Sequence, residues 1–184
     1  MKIKNRRFLK KKEIKKLKEE IKDNEIKKIL EKGEKFEIVP VEKDFAVIFV
    51  DDLPILIISE NNKIIPHLAA LIYKKLNVEY PFVKVDQGAV KHILNGADVM
   101  RPGITDFSEE IHKDDVVIVL EPSKGLPIAV GIALFNSEEI KSMKKGKVIK
   151  TIHYYKDNFW NLGIKGLRTK FWISAFMRHK LSNY

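Results

Sequence analysis

Three short apolar runs, residues 36–41, 45–50 and 53–58, follow one another with only Glu42-Lys43-Asp44 and Asp51-Asp52 between them. Connectors of that length join antiparallel neighbours, because a parallel return needs a crossover of about a dozen residues or more. The runs therefore predict an antiparallel meander with acidic hairpin turns. Upstream, residues 13–32 carry Ile14, Leu17, Ile21, Ile26, Ile29 and Leu30 at helical spacing, with lysine and glutamate on the other faces and Gly33 as the stop. Downstream, Ile64 and Ile65 lead through Pro66 into a second helical stretch, 67–76. Residues 1–80 thus read as an α+β unit of helix, meander and helix.

The pattern changes at Tyr80-Pro81. Val83 and Val85 alternate as a strand, and residues 87–95 read as a short helix with Ala89, Val90, Ile93 and Leu94 apolar, closed by Asn95-Gly96. Residues 97–100 form a strand broken at Arg101-Pro102-Gly103. The continuous run 116–120 predicts a strand buried on both faces. Residues 126–135 predict another, with a bulge or a close backbone approach at Gly131. A helix starts at Ser137, and residues 147–155 close with a strand. Many short strands around one main helix predict a small β-barrel-like domain.

The net charge of +10 is unevenly placed. Residues 1–35 hold 15 Lys and Arg against 7 Asp and Glu, residues 156–184 hold 6 against 1, and the middle holds 14 against 17. Cations clustered at both ends suit a polyanion, since phosphate neutralisation releases counterions; lysines that simply keep helices solvated are the plainer alternative. The absence of cysteine excludes disulfides and cysteine-based metal sites. No secretory signal is evident, and the longest apolar runs fall far short of the ~20 residues that span a bilayer. A cytoplasmic protein without integral membrane association is expected. The abundance of Lys, Glu and Ile leans towards a hyperthermophile.

Enzyme chemistry finds no support in the residues. His67, His92, His112, His153 and His179 are scattered, with no pair at metal-ligand spacing. No P-loop, dinucleotide-binding glycine turn or nucleophile elbow is present. Asp51-Asp52 and Asp114-Asp115 read as turns, and His153 as a structural residue. No catalytic residue, cofactor or metal is expected.

The stretch 85–104, with Gln87-Gly88-Ala89-Val90-Lys91-His92 and Asn95-Gly96-Ala97-Asp98-Val99-Met100-Arg101-Pro102-Gly103, resembles the opening of a PUA domain, and the likeness continues through Asp114-Asp115-Val116-Val117, Pro127-Ile128-Ala129-Val130-Gly131 and Gly146-Lys147. The resemblance implies a β-pseudobarrel that binds structured RNA. Tyr80-Pro81-Phe82 before it, and Ile152-His153-Tyr154 with Trp160 after it, are similar to the malignant-T-cell-amplified-sequence and ligatin-like translation factors, over roughly residues 10–162. That wider likeness implies a translation factor acting on the small ribosomal subunit, in initiation or in ribosome recycling and tRNA handling, beside an initiation-factor-like partner protein, and the composition makes this an archaeal-looking member. The organisation expected is an N-terminal pre-PUA α+β unit (1–80), a PUA domain (82–158) and a basic aromatic tail (159–184).

The site expected on these grounds has its own chemistry. Gly88 and Ala89 at a helix start would let RNA approach exposed backbone N–H groups. Lys91 and His92, on the first helical turn, would reach phosphate or a 2′-hydroxyl. Met100 would offer a thioether for stacking, and Arg101 a guanidinium for phosphate or base edges. Gln87 and Gly103 complete the set. Set against this, the glycines also suit plain turns, Asp86 an N-terminal cap, and Lys91 and His92 a solvated surface. The tail, with Phe171, Trp172 and Phe176 among lysines and arginines, could meet RNA, a partner or a membrane surface, or fold back on the N-terminal helix. Two other functions fit the same residues: an RNA-targeting accessory subunit of a tRNA or rRNA modification enzyme, and a protein-binding adaptor without RNA affinity.

Overall fold

Asp51 and Asp52 both adopt left-handed backbone, φ 50° and 66°, which a two-residue type I′ hairpin turn requires. The Asp51 carboxylate fixes the turn by accepting the N–H groups of Glu34 and Lys35 at 3.1 and 2.9 Å. The computed structural model describes residues 6–41, 45–59, 61–73 and 79–166. Its first half comprises β1 (Arg7–Phe8), α1 (Lys11–Glu20), α2 (Asn24–Lys32), β2 (Phe36–Pro40), β3 (Ala46–Val50), β4 (Leu53–Ile58), β5 (Ile64–Pro66) and α3 (Leu68–Tyr73). The five strands lie in chain order, each antiparallel to the next. Beyond the expected meander, β1 and β5 extend the sheet at its two edges.

The single N-terminal helix expected from periodicity is two. Ile21 leaves the helix with extended backbone, and Asp23 starts the next one by accepting the Ile26 N–H at 2.9 Å. Its other oxygen accepts the Glu79 N–H at 2.8 Å, which ties the break to the linker before the second sheet. The apolar period runs through the break because Leu17, Ile21, Ile26 and Leu30 all bury against one face of the sheet, with Ile48, Val50 and Leu56. Val47, Phe49 and Ile57 point to the other face. A sheet covered on both sides explains why these strands read as unbroken apolar runs.

The second half contains β6 (Phe82–Val85), α4 (Gln87–Ile93), β7 (Val99–Met100), β8 (Ile104–Phe107), β9 (Val116–Leu120), β10 (Pro127–Ala133), α5 (Ser137–Ser142), β11 (Lys147–Tyr154) and α6 (Asn158–Gly166). The strand order is β7-β11-β10-β9-β6-β8. Among the described residues only β6 and β9 run parallel. The two edge strands, β7 and β8, are consecutive in the chain, joined by a 3₁₀ turn at Arg101–Gly103, so the sheet curls into a nearly closed barrel around Val83, Val90, Ile93, Val117, Ile128 and Ile149. Strand β8 was not expected, because Thr105 and Asp106 interrupt its apolar character. The β10–β11 register slips at Gly131, where a side chain would come within 2.5 Å of Ile149 and 2.6 Å of the Lys150 carbonyl, so both parts of the expectation for this glycine hold.

The second face of the first sheet meets the outside of the barrel. Val47, Phe49, Ile57, Ile65 and Leu68 pack with Ile118 of β9, Val130 of β10 and Trp160 of α6. Phe159 and Trp160, expected to open a tail, are therefore core residues, and residues 167–184 of that expected tail lie outside the described residues. Among the described residues no helix is long and apolar enough to cross a membrane.

Candidate nucleic-acid interface

Helix α4 begins where Asp86 leaves β6. Its carboxylate accepts the Ala89 N–H at 2.8 Å, so Asp86 is an N-cap. A carboxylate at that position partly cancels the attraction of the helix start for phosphate. Along α4, Val90 and Ile93 are buried in the barrel core, while Gln87, Gly88, Lys91 and His92 are exposed on one continuous face. Lys91 and His92 sit in the last turn of this short helix, not in its first. They extend the exposed face away from the cap instead of gathering at the N-terminal amides.

Gly103 brings the 3₁₀ turn against this helix. Its carbonyl accepts the Asp86 N–H at 2.8 Å, and a side chain at Gly103 would come within 2.9 Å of the Ala89 methyl. Gly103 and Ala89 are small because two backbones meet there, and neither takes up a left-handed conformation. Gly96 does, at φ +86° with Tyr154 packed on it, so its role is the turn after α4. Gly88 is open, with only the Asp86 carboxylate 3.3 Å from where a methyl would lie.

Met100 is 48% exposed, an unusual position for a thioether on an edge strand. Arg101 is engaged differently. Its Nε donates to the Ile140 carbonyl at 2.7 Å, its Nη1 to the Ile104 carbonyl at 3.3 Å, and its guanidinium lies 5.9 Å from the Phe107 ring centre. The charge thus buttresses the 3₁₀ turn and α5, which leaves it less free than Lys91 to follow a ligand.

Strand pairing adds cations that the sequence reading left out. Lys147 is the cross-strand partner of Met100, and the Gly146 carbonyl accepts the Arg101 N–H at 2.8 Å. Lys147 therefore lies beside the thioether, held 2.5 Å from Asp98, and the exposed Lys144 and Lys145 precede it in the turn before β11. The run Lys144-Lys145-Gly146-Lys147 was the available signal, but only the pairing of β7 with β11 brings it to Met100. The combined surface offers an apolar contact, small residues for close approach and several exposed ammonium groups, a combination suited to a flexible phosphate backbone and an unstacked base.

The fold also joins two histidines that looked unrelated. His67 and His153 are fully buried with ring centres 4.4 Å apart. His153 is structural, its Nδ1 2.8 Å from Asp157. No group of three potential ligands that could hold a metal forms among the described residues.

Comparison with known proteins gives a consistent assignment. Residues 81–155 match the PUA domain, and residues 5–74 match a domain of unknown function, DUF1947. An uncharacterised protein of Methanocaldococcus jannaschii is 43% identical over 163 residues, which cover 88% of this chain and 98% of that protein. Translation machinery-associated protein 20 of Saccharomyces cerevisiae is 31% identical over 146 residues, covering 76% of this chain and 79% of the yeast protein. Among solved structures, a hypothetical protein of Pyrococcus horikoshii superposes with a TM-score of 0.71 at 32% identity, over 86% of this chain and 99% of that one.

Proposed function

The chain belongs to the PUA-domain family of translation machinery-associated protein 20 and the malignant T-cell-amplified sequence proteins, and from that premise we propose that it is a non-catalytic, cytoplasmic RNA-binding protein of translation. Its partners in this reading are the small ribosomal subunit, through rRNA or bound tRNA, and an initiation-factor-like protein, in initiation or ribosome recycling. The observation that carries the reading is the exposed face of α4, continuous through Gly103 with Met100 and the lysines beside it. Gln87, Gly88, Ala89, Lys91, His92, Met100 and Gly103 would form the contact surface, with Lys144 and Lys145 added to it and Arg101 holding it in shape. The working division is an N-terminal unit at 1–80, the RNA-binding barrel at 82–158, and the remainder from 159.

The test is binding of purified small subunits and of free tRNA across a salt series, for the unaltered chain and for Lys91→Glu/Lys145→Glu. Removing one lysine–phosphate pairing should reduce the slope of log affinity against log salt by about 1. Saturable small-subunit binding with a shallower slope in the double variant supports the reading. Unchanged binding by the variant removes this face from it, and preference for free tRNA over the subunit favours a modification-enzyme accessory role.

A further inference from the structure

Helix α6 follows the barrel in sequence but completes the core of the other unit. Trp160 lies 4.8 Å from Tyr155, in the turn after β11, and 6.1 Å from Tyr73 of α3, between ring centres. Phe159 meets Phe45 at 5.6 Å, and Gly163 is so close to Pro54 of β4 that a methyl group would come within 2.6 Å of its ring. The start of the helix is held by Asp157, which accepts the Trp160 N–H on one oxygen at 2.7 Å and the Tyr154 N–H on the other at 3.0 Å. The contact nearest the centre is polar: His67 Nε2 lies 3.2 Å from the Phe159 carbonyl.

We propose that α6 is a strap holding the two sheets in one orientation, and that the buried His67–His153 pair, its rings tilted on one another, is its acid-sensitive catch, a proton on His67 releasing α6 from the N-terminal unit. His67 Nδ1 accepts the Ala69 N–H at 3.1 Å and so caps α3. Its single proton therefore sits on Nε2 and is donated to Phe159. A second proton can enter only at Nδ1, where it meets the Ala69 N–H head-on and ends the cap. The new charge would face His153 from β11 at a ring separation of 4.4 Å, with no exposure to water. The other titratable groups around it give no relief. Asp157 is already engaged by His153, Tyr154 and Trp160, and Tyr73 of α3 and Tyr155 after β11 present neutral phenols. The His153 Nε2 is buried without a hydrogen-bond partner, so this side of the pair has no acceptor for added charge.

Burial first, and His153 second, hold His67 well below the ordinary imidazole range. The folded form takes up this proton less readily than an open one. The strap is therefore fully held above about pH 6.5 and weakens as pH falls below it. Between that pH and the lower value of the folded state, the opening constant rises about tenfold per pH unit for one proton. Each sheet keeps its own ladder of backbone hydrogen bonds, so release would change how the barrel is carried on the first sheet and not the barrel itself.

The test uses the full chain with Trp172→Phe, which leaves Trp160 the sole tryptophan. Its emission and the far-ultraviolet circular dichroism are followed from about pH 8 to about pH 4.5, a range that spans ordinary histidine titration. The expected result is a red shift of Trp160 with its midpoint below pH 6.5, ahead of any loss of dichroism. His67→Asn, whose side-chain oxygen caps the same N–H without titrating, should abolish that shift. His153→Gln removes the imidazole that faces His67 and should move the shift to higher pH. Emission that follows dichroism, no shift over the range, or an unchanged shift in His67→Asn overturns the proposal. Should His67→Asn not fold, the direction of the shift in His153→Gln decides, and an unmoved midpoint overturns it.

Discussion

The junction between the two sheets and the exposed face of α4 are made from the same kinds of residue put to opposite uses. Each has a histidine, a glycine and a capping aspartate. His153 is fully buried and bonded to Asp157, while His92 stands in solvent. Gly163 is small because Pro54 leaves no room, while Gly88 has open space beside it. Asp157 gathers three donors from its own segment, while Asp86 caps a single N–H. Residue type thus indicates what a position can do, and its surroundings decide whether it does it. At the junction, packing dictates the residue and substitution should cost stability. On the exposed face, contact with a ligand would dictate the solvent-facing side chains, and replacing those should cost affinity and little stability.

The largest effect expected from this contrast is at Trp160. Trp160→Ala empties a site that is 2% exposed and bordered by both sheets, and such truncations cost about 3–5 kcal/mol. Guanidinium unfolding monitored by circular dichroism measures it. A loss below about 1 kcal/mol would mean that α6 is an accessory to the core and would remove the contrast. The glycines give the next largest difference. Gly163→Ala forces the Pro54 ring aside, an overpacking effect of about 1–3 kcal/mol. Gly88→Ala meets only a carboxylate oxygen at 3.3 Å, and helical alanine is favoured over glycine by about 0.5–1 kcal/mol, so its stability should be unchanged or slightly raised. Thermal melts of the two variants side by side check the pair, and equal destabilisation would erase the distinction between buried and open glycine.

Most of the barrel and its candidate site were legible in the sequence, because the signals were local. Asn95-Gly96 ends α4, Gly131 marks the bulge, and the stretch from Gln87 to Gly103 holds two segments close enough in sequence to read together. The junction was not legible. His67 and His153 are joined only by docking one sheet on the other, and neither has a neighbour in sequence that announces the pairing. The break between α1 and α2 was hidden for another reason. Both helices bury apolar residues against one face, so the helical period continues through it, and Asp23-Asn24 was the signal that competed and should have prevailed. Lys144 and Lys145 were visible as a charge run but gained a place only from the register of β7 on β11.

Smaller effects test the exposed face itself. Asp86→Ala removes the α4 cap, a loss of about 1 kcal/mol, and with it the carboxylate beside the open glycine. RNA affinity measured by fluorescence anisotropy should therefore stay level or rise at low salt while the melting temperature falls. A loss of affinity larger than the stability change accounts for would show that Asp86 holds ligand and is more than a cap.

The smallest effect on the fold is expected at Met100. Its side chain is half in solvent on a two-residue edge strand, so Met100→Ala should alter stability by no more than about 0.5 kcal/mol. A thioether has no charge to offer phosphate, so its contribution to binding would come from contact with a base, and affinity for single-stranded RNA should fall without any change in salt dependence. Lys91→Glu should do the reverse, altering the slope against salt as well as the affinity. Anisotropy titrations of both variants over one salt series separate the two roles. A changed slope in Met100→Ala would mean that the neighbouring lysines had moved, and full affinity in Met100→Ala would leave an exposed thioether opposite Lys147 that serves neither the core nor the RNA.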